Sequence, residues 1–141
     1  MKVTVLGCGT SGGVPTITGD WGVCDPDQPK NRRTRQSVCL HYNDKNVLID
    51  TSPDLRAQLL RERIQSVDAV LYTHAHADHC HGIDDLRDIY FKRDKKRIPV
   101  YTCGQTLKEL YQKFPYLFSQ TYDPASLYPA LFDEYVIEGD F

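Results

Sequence analysis

The strongest constraint on this chain lies in residues 67–82, VDAVLYTHAHADHCHG, where a mostly apolar run ends in four of the chain's five histidines. Val67 to Tyr72 is short enough to be a buried strand, and it leads straight into the donor-rich segment. In an extended chain, positions i and i+2 face the same side, so His74 and His76 can converge on one ion. Asp78 and His79 follow after a turn, where the backbone can present both to a neighbouring ion. The small Ala75 and Ala77 let that backbone pack closely. Imidazole nitrogens with a carboxylate suit zinc, and also manganese or iron. His74, His76, Asp78 and His79 are therefore the candidate metal ligands. His81 is read as lying outside the ligand set, and Cys80 as packing inward.

The rest of the sequence must supply a scaffold for this cluster. At 141 residues the chain suits one domain with a real core. A net charge of −2 gives no whole-protein pull toward nucleic acid or an anionic membrane. No apolar run approaches the ~20 residues a membrane span needs, and the start MKVTVLG reads as a strand rather than a signal peptide. The cysteines (Cys8, Cys24, Cys39, Cys80, Cys103) are odd in number and widely spaced, with no CxxC pair. That pattern excludes a disulfide framework and a zinc ribbon, and places the protein in a reducing, cytoplasmic setting.

Alternating and β-branched residues predict strands at Lys2 to Leu6, Ser37 to Tyr42 and Asn46 to Asp50. Asn43-Asp44-Lys45 joins the last two as a hairpin. Residues 14–36 read as a long loop broken by Pro15, Pro26 and Pro29. Ser52-Pro53-Asp54 predicts a helix through about Arg63, with Ser52 as N-cap and Pro53 at the first helical position. Further helices are expected over Ile83 to Lys92 and Thr106 to Phe114, and strands at Ile98 to Tyr101 and near Tyr135 to Ile137. Strands and helices mix without strict alternation, so the class is α+β or layered αβ. Gly7-x-Gly9-x-x-Gly12 matches a dinucleotide-binding pattern, but Val14-Pro15 and a loop follow where a helix should open. The glycines are read as a tight turn whose amides can meet a phosphate.

THAHADHxxG resembles the THxHxDHxxG signature of the metallo-β-lactamase-fold hydrolases. LGCGTSGGVP, NRRTRQS and LIDTSPDLR resemble the phosphodiesterase branch of that fold, which includes phosphoribosyl 1,2-cyclic phosphodiesterase, ribonuclease Z and the coenzyme PQQ synthesis protein B. The match covers most of residues 1 to about 104. It implies an αβ/βα sandwich of which only the first half is present, so 1–141 is expected to be the N-terminal portion of a single such domain. It also implies two divalent metal ions, with His74 and His76 on the first and Asp78 and His79 on the second. Asp50 resembles the family's buried aspartate behind the ligands, a role that fits the need of metal-bound histidines for a carboxylate partner.

The activity implied is hydrolysis of a phosphodiester, a small cyclic phosphate above all, by a hydroxide shared between the ions, with Asp78 as acceptor of the water's proton. In the basic run Lys30 to Arg35, Arg33 and Arg35 are candidate phosphate contacts, because guanidinium matches phosphate oxygens bidentately. Cys24 stands where the cyclic phosphodiesterases carry a C-x-C-x-x-C zinc motif, but Gly19 and Trp21 occupy its other two positions, so Cys24 is read as an ordinary thiol. The family's remaining ligands lie beyond its first half, and no histidine follows His81 here. The isolated chain is therefore expected to bind metal weakly and turn over little. Three other readings compete: a ribonuclease Z-like RNA endonuclease, a non-catalytic metal-binding module, and a half-domain that forms a homodimer. The absence of a basic, tRNA-clasping arm favours a small phosphate-ester substrate over nucleic acid.

Overall fold

A computed structural model describes residues 1–118 and 129–139. Six strands form one mixed sheet in chain order: β1 (Lys2–Gly7), β2 (Ser37–Tyr42), β3 (Lys45–Ile49), β4 (Ala69–Leu71), β5 (Ile98–Thr102) and β6 (Phe132–Val136). β1, β2 and β3 run antiparallel, and β3 to β6 run parallel. The helices are α1 (Leu55–Arg61), α2 (Ala77–Cys80), α3 (Leu86–Lys92), α4 (Gly104–Lys113) and α5 (Pro115–Phe118). This is a mixed αβ layer, the class expected from the sequence.

The β2–β3 turn needs left-handed backbone at two successive residues, and Asn43 (φ 45°) and Asp44 (φ 60°) supply it. Those two residue types tolerate that region at low cost. Lys45, expected in the turn, already pairs with Tyr42 in the ladder.

Alternation then sorts the sheet into two faces. Leu6, Cys39, Leu48, Val70, Ile98, Val100 and Phe132 point to the helices and are fully buried. Each such large apolar side chain contributes roughly 1.5–3 kcal/mol on burial. Leu55, Ile83, Leu86, Tyr90 and Leu110 close this core from the helix side. The opposite face carries Val3, Val5, Tyr101 and Tyr135, all exposed, with the Tyr101 and Tyr135 rings stacked at 5.0 Å. No described element covers that face. One helix layer on one sheet is a single αβ pair of layers.

Two helix starts differ from expectation. α1 begins at Leu55 with Asp54 as N-cap, and Asp54 makes no side-chain cap bond. Ser52 is buried, and its hydroxyl donates to Gln58 Oε1 (3.1 Å) while accepting from the Asp54 amide (3.2 Å). Ser52 thus keeps a capping contact, to the amide two residues on, while its hydroxyl proton goes to Gln58 in the helix it precedes. The helix expected at Ile83 opens as a 3-10 turn over Ile83–Asp85 and becomes α-helical only at Leu86.

Because β1, β3, β4 and β5 point the same way, the segments leaving their C-terminal ends gather at one edge of the sheet. Such an edge is where parallel sheets place their ligands. The glycine loop after β1, the LIDTSPD turn after β3 and the histidine cluster after β4 all emerge there.

Candidate metal centre

β4 hands the chain to the cluster through Tyr72, whose amide donates to Tyr101 O (2.9 Å) and whose carbonyl accepts from Thr102 Oγ1 (2.9 Å). The Tyr72 hydroxyl meets Thr51 Oγ1 at 2.8 Å in the core, and burial pushes its phenol well above the ordinary value. The chain bends at Thr73, and His76, with extended backbone (φ −65°, ψ 154°), occupies the N-cap position of α2. Asp78 and His79 therefore sit on a single helical turn, a feature the sequence reading had placed only as a turn. Ala75 and Cys80 are buried beneath it. Cys80 packs inward with its thiol on Ala75 O (3.3 Å), and burial raises that thiol to about 11.

This path brings the four donor residues together. The His74 and His76 rings meet edge-on at 4.6 Å, and His74 and His79 lie 3.9 Å apart. Asp78 Oδ2 is 3.4 Å from His79 Nε2, so those two donors stand side by side. His81 turns away and packs edge-on against Phe114 at 5.7 Å.

Asp50 lies directly behind the cluster. Its backbone is left-handed (φ 60°) and pinned by its amide to Leu71 O (2.9 Å), which drives the carboxylate under the histidine loop. The side chain is buried and receives the Thr73 amide (2.8 Å), the Thr73 hydroxyl (2.6 Å), Gln36 Nε2 (3.0 Å) and His79 Nδ1 (2.8 Å). A carboxylate on Nδ1 fixes the His79 tautomer and ring, leaving Nε2 toward Asp78. Thr73 Oγ1 also lies 3.0 Å from His74 Nδ1, which leaves that ring's Nε2 for a ligand.

The donor chemistry fits divalent ions, with three imidazoles and one carboxylate on the pocket side and a second carboxylate behind. Among the described residues, however, no three His, Cys, Asp or Glu side chains gather as a group able to hold one ion.

Gly82 closes the motif for a packing reason. A Cβ there would lie 2.0 Å from Ser52 O and 2.8 Å from Leu55 Cβ. Its amide bonds Thr51 O (2.9 Å), and the Thr51 amide bonds His79 O (2.7 Å). Only glycine lets the cluster dock on the LIDTSPD turn.

A groove of about 410 Å³ opens between Gly12–Ile17 and Arg32–Arg35, with Asp54 in its wall. Arg35 spends its fork on Asp54, Nε to Oδ2 (2.8 Å) and Nη2 to Oδ1 (2.7 Å), and its amide also donates to Oδ2 (2.9 Å). Arg33 makes no such pair; its Nη2 donates to Cys24 Sγ (3.0 Å). The Arg32 guanidinium covers the Trp21 ring at 4.8 Å. Two arginine contacts thus fasten the loop at Trp21 and Cys24. The pairing of Arg35 with Asp54 carries no local sequence signal.

The Beta-lactamase superfamily domain model matches residues 45–130. The chain belongs to this superfamily. Among solved structures, it is 42% identical to a diphosphatase of the PhnP family, with a TM-score of 0.83 over 98% of this chain and 50% of that one. Zinc-bound PqqB from Methylobacterium extorquens shares the fold at 22% identity and a TM-score of 0.60, covering 81% of this chain and 44% of that one. A protein named octanoyltransferase from Porphyromonas gingivalis is 39% identical over 127 residues, which are 89% of this chain and 25% of that protein. The chain thus spans half or less of the length of each of these relatives. Among the described residues no helix is long and apolar enough to cross a membrane.

Proposed function

We propose that this β-lactamase superfamily chain carries the first part of a two-metal centre that hydrolyses a small phosphodiester. The observation that carries the reading is the meeting of His74, His76, Asp78 and His79 at one sheet edge, with His79 held from behind by buried Asp50. In this assignment His74 and His76 serve one ion, and Asp78 and His79 the other. Divalent ions bound there, zinc first and manganese or iron as alternatives, would acidify a water and neutralise phosphate charge. Asp78 accepts the proton of the attacking water at a carboxylate oxygen. Asp50 holds the His79 ring in place through that exchange, and Thr73 ties Asp50 to the backbone of the cluster.

Hydrolysis at a phosphorus centre is supported by the 42% identity to the PhnP-family diphosphatase across nearly the whole chain; a phosphodiester, with a cyclic ribose phosphate narrower still, is our reading of the substrate. Octanoyl transfer is a different reaction, and the matched region is only a quarter of the protein so named.

The test is hydrolysis of a cyclic ribose phosphate and of bis(p-nitrophenyl) phosphate by the natural polypeptide carrying this chain. The expected result is turnover abolished by chelation, restored by zinc or manganese, and lost in His76→Ala. Activity that survives exhaustive chelation would overturn the reading. The 141-residue chain by itself should bind metal weakly and show little turnover, since it offers two donors per ion; robust chelator-sensitive turnover by it would contradict that pairing.

A further inference from the structure

Three contacts join the far end of α4 to the loop that carries the metal donors. Lys113, the last residue of α4, donates from Nζ to Ala75 O. Phe114 follows as the C-cap and meets the His81 ring edge-on at 5.7 Å. Tyr116 in α5 donates its hydroxyl to Asp84 Oδ2, just past the cluster. Residues 113–116 therefore lie along the loop from Ala75 to Asp84.

The first of these contacts falls between two candidate ligands. Ala75 separates His74 from His76, and its side chain is buried. The Ala75–His76 peptide is planar, so the direction of Ala75 O also sets that of the His76 amide. Fixing this carbonyl limits how the two histidines can turn relative to each other, and their rings lie 4.6 Å apart. Ala75 O also accepts from the Cys80 thiol (3.3 Å), but a thiol is a weak donor. The ammonium is the stronger, charge-assisted one. Lys113 also acts electrostatically on the Cys80 thiol, which agrees with its place against this loop.

A lysine in the last helical turn suits the helix dipole wherever its side chain points. That general role does not account for an Nζ that meets a carbonyl 38 positions earlier in the chain. α4 opens at Gly104, directly after β5, and β5 is itself tied to Tyr72 through Tyr101 O and Thr102 Oγ1. The helix is thereby fastened at its start to the strand that enters the cluster, and at its end to the cluster itself.

We propose that Lys113 is a positioning residue for the metal centre: its ammonium fixes the peptide between His74 and His76, so that both rings meet one ion. This assignment rests on the two-ion reading above. Lys113 acts through the backbone of the ligand loop and touches neither the ion nor the reacting atoms.

The test uses the natural polypeptide carrying this chain and reads metal as well as turnover. Zinc affinity is measured by competition with a chromophoric chelator in wild type, Lys113→Met and Lys113→Arg, with circular dichroism to check that each is folded. Lys113→Met keeps an unbranched apolar stem and loses the donor. One zinc should bind roughly tenfold more weakly in it, and Lys113→Arg should recover most of that loss. At saturating cobalt, the visible spectrum of Lys113→Met should differ from wild type, a change that a lysine serving only fold stability would not produce. In the metal-free protein, the His76 amide resonance should shift in Lys113→Met.

Unchanged zinc affinity and an unchanged cobalt spectrum in folded Lys113→Met would overturn the proposal. A raised KM for bis(p-nitrophenyl) phosphate with zinc affinity intact would also overturn it, by making Lys113 a substrate contact instead. Weakened zinc binding by Lys113→Met in a protein that hydrolyses no phosphodiester would sustain the positioning role and overturn the function reading alone. A wild-type protein that binds no zinc, manganese or iron would overturn both.

Discussion

Asp50 Oδ2 lies 2.8 Å from His79 Nδ1 across 29 positions of sequence, and this contact orients the His79 ring, with its Nε2 toward Asp78. Asp50→Asn keeps the shape and the tolerated left-handed backbone, but it puts an amide where four donors converge. Zinc affinity should fall about 10- to 100-fold, the usual cost of losing a carboxylate behind a ligating histidine. Competition with a chromophoric chelator measures it. Circular dichroism of the same variant checks that the fold survives. Unchanged zinc affinity in a folded Asp50→Asn would remove Asp50 from the site.

Gly82→Ala tests the docking of the cluster independently of metal. The added Cβ meets a backbone carbonyl at 2.0 Å, and the Ser52 backbone has no side-chain freedom with which to yield. A destabilisation of about 1–3 kcal/mol, or more, is expected from overpacking at such a site. It would appear as a lowered urea midpoint in the metal-free chain. A midpoint equal to wild type would mean that the turn relaxes freely and that the glycine is not required for packing.

What the sequence made legible follows from how local each cause is. The hairpin at Asn43-Asp44, the strand Ser37–Tyr42 and the convergence of His74 with His76 depend on neighbours in the chain, and each was readable from pattern alone. Ser52 caps the Asp54 amide as its position suggests, but the helix begins only at Leu55, and the bond from its hydroxyl to Gln58 has no local signal. α2 has four residues, too few to show a helical period, so the helical placement of Asp78 and His79 stayed hidden. Arg33 and Arg35 looked equivalent in NRRTR. Only the fold distinguishes them, by delivering Asp54 to one and a sulfur to the other.

Four of the five thiols should separate by burial. Cys39 and Cys80 are fully buried, and desolvation raises both to about 11. Thiolate is the reactive form, so native labelling with iodoacetamide near pH 8 should spare both. Cys8 and Cys103 are exposed, and a hydrogen bond from Thr106 lowers the Cys103 thiol. Both should label quickly, Cys103 foremost. Peptide mass spectrometry before and after denaturation reads the difference; labelling of Cys39 as fast as Cys103 in the native protein would contradict the sheet's buried face.

The Arg35–Asp54 pair gives stability a defined acid limb. Arg35 hydrogen bonds hold the Asp54 carboxyl below its ordinary value, with burial opposing them. A depressed folded-state pKa means that the pair contributes fully above the unfolded carboxylate value of about 3.9. The contribution is lost as pH falls through the lower folded value, because both states are then protonated. Asp54→Asn should therefore unfold at lower urea than wild type at pH 7, and the gap should begin to shrink as pH falls below about 3.9 and vanish once the folded-state carboxyl is protonated as well. The pair is partly exposed, so the gap at pH 7 should be modest and should shrink further in high salt. A difference between the two proteins that stayed constant from pH 7 to pH 2.5 would show that Asp54 stabilises the turn by something other than its charge.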